Sequence, residues 1–94
     1  MFLFDWDEKK NLANQKKHGI SFDEASTVFL DERAILFDDP KHSVEEERFL
    51  LLGMSEDANI CIVCHCYRES ETIIRIISAR KATKKEEERY VKGI

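Results

Sequence analysis

The hydrophobic pattern divides the chain into short apolar runs of strand length, two segments that read as helices before residue 30, and a highly charged helix at the end. Phe2-Leu3-Phe4, with Trp6 beyond, reads as a first strand. Asp7 can cap a helix running through about His18, which Gly19 ends as a left-handed stop. That helix offers little apolar surface, only Leu12 and Ala13. Ser21 and Glu24 form a capping box, and Phe22, Ala25, Val28 and Phe29 follow at helical spacing, so the second helix packs firmly until Asp31 and Glu32 end it.

Ala34 to Phe37 is a brief strand, Asp38 to Lys41 a turn, and the segment to Glu46 an acidic loop. Arg48 to Gly53, Ile60 to Tyr67 and Thr72 to Arg80 are strands joined by short polar turns, an antiparallel meander. Thr83 with Glu86 is a further capping box, opening the last helix. The order β-α-α-β-β-β-β-α predicts an α+β fold, an antiparallel sheet of about four strands with the helices on one face and the other face free.

Composition narrows the class. The 94 residues (11.0 kDa) suit one domain, 1–94, and one Pro with three Gly argues against long linkers. The apolar opening is broken at once by Asp5 and Asp7, and no apolar run approaches membrane-spanning length, so the chain reads as cytosolic with no membrane partner. The net charge of −4 is unevenly laid out: residues 74–94 hold seven cations against three anions, leaving −8 for the rest. An acidic body with a basic end fits a local anionic contact better than a broad nucleic-acid surface.

The candidate chemistry centres on Thr72 to Tyr90, where an apolar strand hands Arg80 and Lys81 to a helix start, a rigid seat for cations facing phosphate. Arg75, a lone charge in an apolar run, is either paired with a carboxylate such as Glu47 or holds a phosphate. Arg75 and Arg80 would face opposite sides of a regular strand and share a site only if the chain bends near Ser78-Ala79. Arg48 is either a surface ion-pair member or a second site cation. Lys10, Asn14 and Lys17 fall within roughly a 60° sector of the first helix. His18, beside a basic turn, is either a cation suiting the helix dipole or a proton-transfer group. Tyr90 either anchors the last helix or serves the site.

Cys61-Ile-Val-Cys64-His65-Cys66 has spacing that invites zinc or haem, but strand parity sends Cys64 and Cys66 to one face and Cys61 and His65 to the other. They read as reduced thiols. No nucleotide-binding, serine-hydrolase or metalloprotease motif occurs, so neither metal nor cofactor is expected.

RIISARKATKKEEERY resembles the C-terminal signature of BrnT-type toxins of bacterial type II toxin–antitoxin systems. FDWDEKKNLANQKKHGISFDEA and EERFLLLG are similar to that family's opening and middle blocks. The resemblance implies a RelE-like fold and a metal-independent ribonuclease that arrests translation by cutting RNA, free or on the ribosome. It implies a BrnA-type antitoxin, for which a two-to-two assembly is open, and operator DNA contacted only through that antitoxin. The family positions carried over are Lys17, His18, Arg48, Arg75, Arg80 and Tyr90, with Lys10 and Lys81 as further substrate contacts. In that scheme Arg75 and Arg80 hold the phosphate and Arg48 assists. His18 or Lys17 moves protons, and Tyr90 orients the nucleotide. The rivals are a binding module without chemistry and a ParE-like gyrase poison.

Overall fold

The computed structural model describes residues 2–93; the expected domain limits, Met1 and Ile94, lie outside the described residues. Its elements are β1 (Leu3–Asp5), α1 (Glu8–His18), α2 (Phe22–Thr27), β2 (Ile35–Asp38), β3 (Phe49–Met54), β4 (Ile60–Arg68), β5 (Ile73–Lys81) and α3 (Lys84–Lys92). Two 3-10 turns, Val28–Leu30 and Pro40–His42, are interposed in the expected order. The sheet has five strands, ordered β1-β5-β4-β3-β2. The meander β2 to β5 is antiparallel, but β1 joins the edge of β5 in parallel, matching Leu3–Asp5 with Ile73–Arg75. The expectation of about four strands, all antiparallel, is corrected on this point: a three-residue strand paired across almost the whole chain leaves no local signature.

The helices do not share one face. Ile20, Phe22, Ala25 and Val28 pack with Leu51, Val63, Ile76 and Ala79 on the first face of the sheet. Tyr90 of α3 packs with Leu52 and Ile62, which point to the second face. After β5, Ala82 N–H donates to the Ile60 carbonyl (2.8 Å) and Thr83 caps α3, turning the chain onto that second face. The capping box forms as the sequence predicts, with Thr83 Oγ1 accepting from Glu86 N–H and Glu86 Oε1 accepting from Thr83 N–H. At α2 only half of the box forms. Ser21 caps Glu24 N–H, while the Glu24 carboxylate accepts from Ser55 Oγ (2.6 Å) and Asn59 Nδ2 (2.7 Å), tying α2 to the β3–β4 turn.

Helix α1 docks by polar groups. Leu12 is 61% exposed, and the buried α1 residues are Asn11 and Asn14. Past Arg75, β1 no longer covers the edge of β5, and Asn14 does for Ala79 what a neighbouring strand would. Its Nδ2 donates to the Ala79 carbonyl (2.8 Å) and its Oδ1 accepts from Ala79 N–H (3.1 Å). Asn11 Oδ1 accepts from Phe22 N–H (2.8 Å), fixing the entry to α2. Gly53 allows a close approach: a Cβ there would meet Ala34 Cβ and Val28 Cγ1, both at 2.9 Å.

His65 is fully buried among Phe29, Phe49 and Tyr67, with Nδ1 at 3.2 Å from the Val63 carbonyl. Burial pushes its pKa down, so it is a neutral core histidine. Its face is also that of Cys61, opposite to Cys64, as strand parity requires. Among the described residues no group of His, Cys, Asp or Glu is gathered as metal ligands.

Candidate active site

Beside α3, on the second face of the sheet, lies a hollow of about 310 Å³. Its floor is Leu50, Ile62, Cys64 and Ser78; Arg48 and Arg80 rise at its sides. His18 enters from the end of α1, and Asp39 with His42 from the loop between β2 and β3.

Local structure explains each placement. Asn14 clamps α1 to Ala79, so the last residue of that helix, His18, is delivered next to Ser78 and Arg80. The β2–β3 loop is closed at its base by Asp39 N–H donating to the Arg48 carbonyl (2.9 Å). Ser43 stitches the same two residues: its Oγ donates to the Asp39 carbonyl (2.7 Å) and accepts from Arg48 N–H (3.0 Å). Pro40 starts the 3-10 turn that brings His42 back over Asp39. His42 Nδ1 then lies 3.1 Å and 3.0 Å from the two Asp39 carboxylate oxygens.

The arginines are held to different degrees. Arg80 makes a two-pronged pair with Glu86, Nη1–Oε1 2.8 Å and Nη2–Oε2 3.0 Å. Arg48 Nη2 lies 3.7 Å from Glu46 Oε1, too far for a hydrogen bond, and its buried Nε has no partner. Arg48 is therefore the less committed cation of the hollow. Arg75 is bonded to Asp5 Oδ2 (2.6 Å), the carboxylate on its parallel neighbour, not to Glu47.

Arg75 and Arg80 nonetheless face the same side. Arg80 stands opposite Ile62 and Arg75 opposite Cys66, because the register slips between Cys64 and His65 and leaves Ile77 unmatched. The bend expected near Ser78-Ala79 is a bulge one residue earlier. Arg75 lies further along the face and does not line the hollow.

The other expected residues are not gathered there. Lys10 and Lys17 are exposed on α1. Lys81 stands opposite Cys61, on the first face. Tyr90 packs under α3, and its hydroxyl donates to Asp31 Oδ2 (2.6 Å). The single convergent cluster that the sequence suggests is thus divided by strand parity, which sends Lys81 to the first face, and by the burial of Tyr90 beneath α3. Cys64, in the floor, is a thiol and not a thiolate. Burial first, and the Asp39 charge next, push its pKa up to about 11. Sequence reasoning passed over Asp39 and His42. The available signal was an Asp three positions before a His across Pro40, a spacing that a 3-10 turn closes.

An α+β domain with two arginines and two imidazoles around one open hollow is a class suited to anionic, phosphate-bearing polymers. The sequence profile described as the ribonuclease toxin, BrnT, of type II toxin–antitoxin systems matches residues 6–86, and the chain belongs to that family. Among solved structures, the Brucella abortus ribonuclease toxin BrnT superposes with a TM-score of 0.68 at 22% identity, covering 89% of this chain and 100% of that one. At that identity the likeness shows the fold. Comparison with curated proteins gave no match. Among the described residues no helix is long and apolar enough to cross a membrane.

Proposed function

We propose that this toxin cuts RNA at the hollow on the second sheet face by a metal-independent, cofactor-free route, arresting translation in the cytoplasm. The observation that carries the reading is that Arg48, Arg80 and His18 line one hollow although they come from the β2–β3 loop, β5 and α1. RNA carries its own nucleophile, the 2′-hydroxyl. A protein that binds the adjacent phosphate and moves protons can drive its attack on phosphorus. Arg48, loosely held, closes onto the phosphate; Arg80, fixed by Glu86, presents its remaining N–H groups from the opposite wall. His18 exchanges a proton. Lys10 and Lys17, exposed on α1, and Arg75, further along the same face, meet the flanking backbone. Lys81 and Tyr90 stand outside this chemistry.

Type II membership brings an antitoxin. A BrnA-type protein is the proposed partner, repressing the shared operon in complex through its own DNA-binding domain. The test is cleavage of RNA by purified protein in excess chelator, with Arg48→Ala and Arg80→Ala checked for fold by circular dichroism. Each variant should lose roughly 10²–10³ in rate, as for removal of one donor to a developing anion. Chelator-sensitive cleavage, or two fully active arginine variants, would refute the reading.

A further inference from the structure

We infer that Asp39 and His42 form a proton-transfer dyad in the hollow, with His42 the general base for the RNA 2′-hydroxyl and Asp39 the residue that positions it. The inference rests on the ribonuclease reading above. Asp39 is 8% exposed while the His42 side chain is 65% exposed, so a buried carboxylate holds an imidazole that solvent and ligand reach. Both carboxylate oxygens lie within hydrogen-bond distance of His42 Nδ1. A carboxylate only accepts, so Nδ1 carries the proton and neutral His42 has a bare Nε2 for accepting one. The Asp39 backbone is fixed by the loop, its N–H donating to the Arg48 carbonyl and its carbonyl accepting from Ser43 Oγ, and the Cys64 thiol lies 3.8 Å from carboxylate Oδ2. A base oriented by a buried third group is the arrangement that metal-free proton abstraction needs.

The groups facing His42 across the hollow are His18 from α1, Arg48 from the foot of β3, the neutral thiol Cys64 from β4 and Arg80 from β5. With RNA bound, Nε2 takes the 2′-hydroxyl proton as its oxygen bonds to phosphorus. The bond from phosphorus to the 5′-oxygen breaks, and His18 gives that oxygen a proton. The products are a 2′,3′-cyclic phosphate and a 5′-hydroxyl, with no other reactant consumed.

The experiment compares the unaltered protein with His42→Ala, Asp39→Asn and Arg48→Ala on purified RNA and in a translation extract, across pH, with and without added imidazole. His42→Ala should lose about 10²–10⁴ in rate, lose the fall in rate on the acid side, and regain activity with imidazole. Asp39→Asn should lose a similar factor because an amide can hold the other tautomer. Nitrogen NMR of the unaltered protein should show His42 protonated at Nδ1, a readout independent of turnover. A His42→Ala protein within threefold of the unaltered one, beside an inactive Arg48→Ala, overturns the dyad and leaves the hollow standing. Full activity in all three variants overturns the site itself. No cleavage by the unaltered protein on either RNA overturns the ribonuclease reading and the dyad with it.

Discussion

Arg75 and Arg80 lie an odd number of residues apart in one strand, yet both side chains leave the same face of the sheet. Arg75 is matched with Cys66 and Arg80 with Ile62, and the unmatched Ile77 absorbs the difference. The same bulge lets Ile74, Ile76 and Ala79 all turn inward on the opposite face, where each is at most 3% exposed. The bulge thus takes up one extra residue without breaking the core on one side or turning the two arginines from the other.

Deleting Ile77 should therefore leave every other side chain on its present face. In the shortened strand Ser78 follows Ile76 directly, as their partners Cys64 and His65 follow each other on β4, so Ile74, Ile76 and Ala79 still turn inward and Arg75 and Arg80 still turn outward. The urea unfolding midpoint should then shift by no more than about 1 kcal/mol in stability. A loss of several kcal/mol would show that the bulge itself, and not the alternation on either side of it, holds the strand.

Asn14 and Leu12 should reverse the usual ranking of helix residues. Asn14→Ala would strip partners from the Ala79 N–H and carbonyl and from the Ile20 carbonyl, all buried, and should cost roughly 2–4 kcal/mol. Leu12→Ala removes a largely exposed side chain and should stay within about 0.5 kcal/mol. Equilibrium urea unfolding of the two variants side by side is the measurement.

That contrast shows where the sequence was readable. Caps at Asp7, Ser21 and Thr83, the stop at Gly19 and the three-strand meander are local, and each appears where residue type and period place it. Apolar periodicity does not register an amide that docks on backbone, so the α1 attachment through Asn11 and Asn14 was invisible and Leu12 misleading. The parallel pairing of β1 with β5, and α3 crossing to the second face, depend on chain-wide topology. In the site, His18 was legible beside a basic turn, Arg80 at the end of an apolar strand and Arg48 as a cation at the head of one. Asp39 and His42 meet through the local 3-10 turn, but Ser43 and Arg48, which close the loop, set where that pair sits.

Acid should loosen α3. The Arg80 guanidinium, with help from Thr83 N–H, holds the Glu86 carboxyl down at about 2 against an ordinary 4.5. A depressed folded-state value means that this contribution is complete above pH 4.5 and fades as pH falls from there toward 2. Because Arg80 is 42% exposed, solvent screening should limit the loss to about 1 kcal/mol. Glu86→Gln should be less stable at neutral pH by a similar amount and show a flatter decline between pH 5 and 2. Thermal unfolding followed by circular dichroism at a series of pH values would reveal it, and parallel curves for the two proteins would refute it.

Tyr90 separates structure from chemistry within the last helix. Its ring is buried with Leu52 and Ile62, and its hydroxyl reaches Asp31 Oδ2, an oxygen that also accepts from Met54 N–H (2.8 Å). Tyr90→Phe keeps the ring and removes only that bond to a charged acceptor, so stability should fall by about 1–2 kcal/mol. The hydroxyl does not line the hollow, so RNA cleavage at a temperature well below unfolding should stay within about twofold. Measuring both on one preparation makes the comparison decisive. A large loss of cleavage with unchanged stability would place Tyr90 in the chemistry after all, and would require α3 to move toward Arg80 when RNA binds.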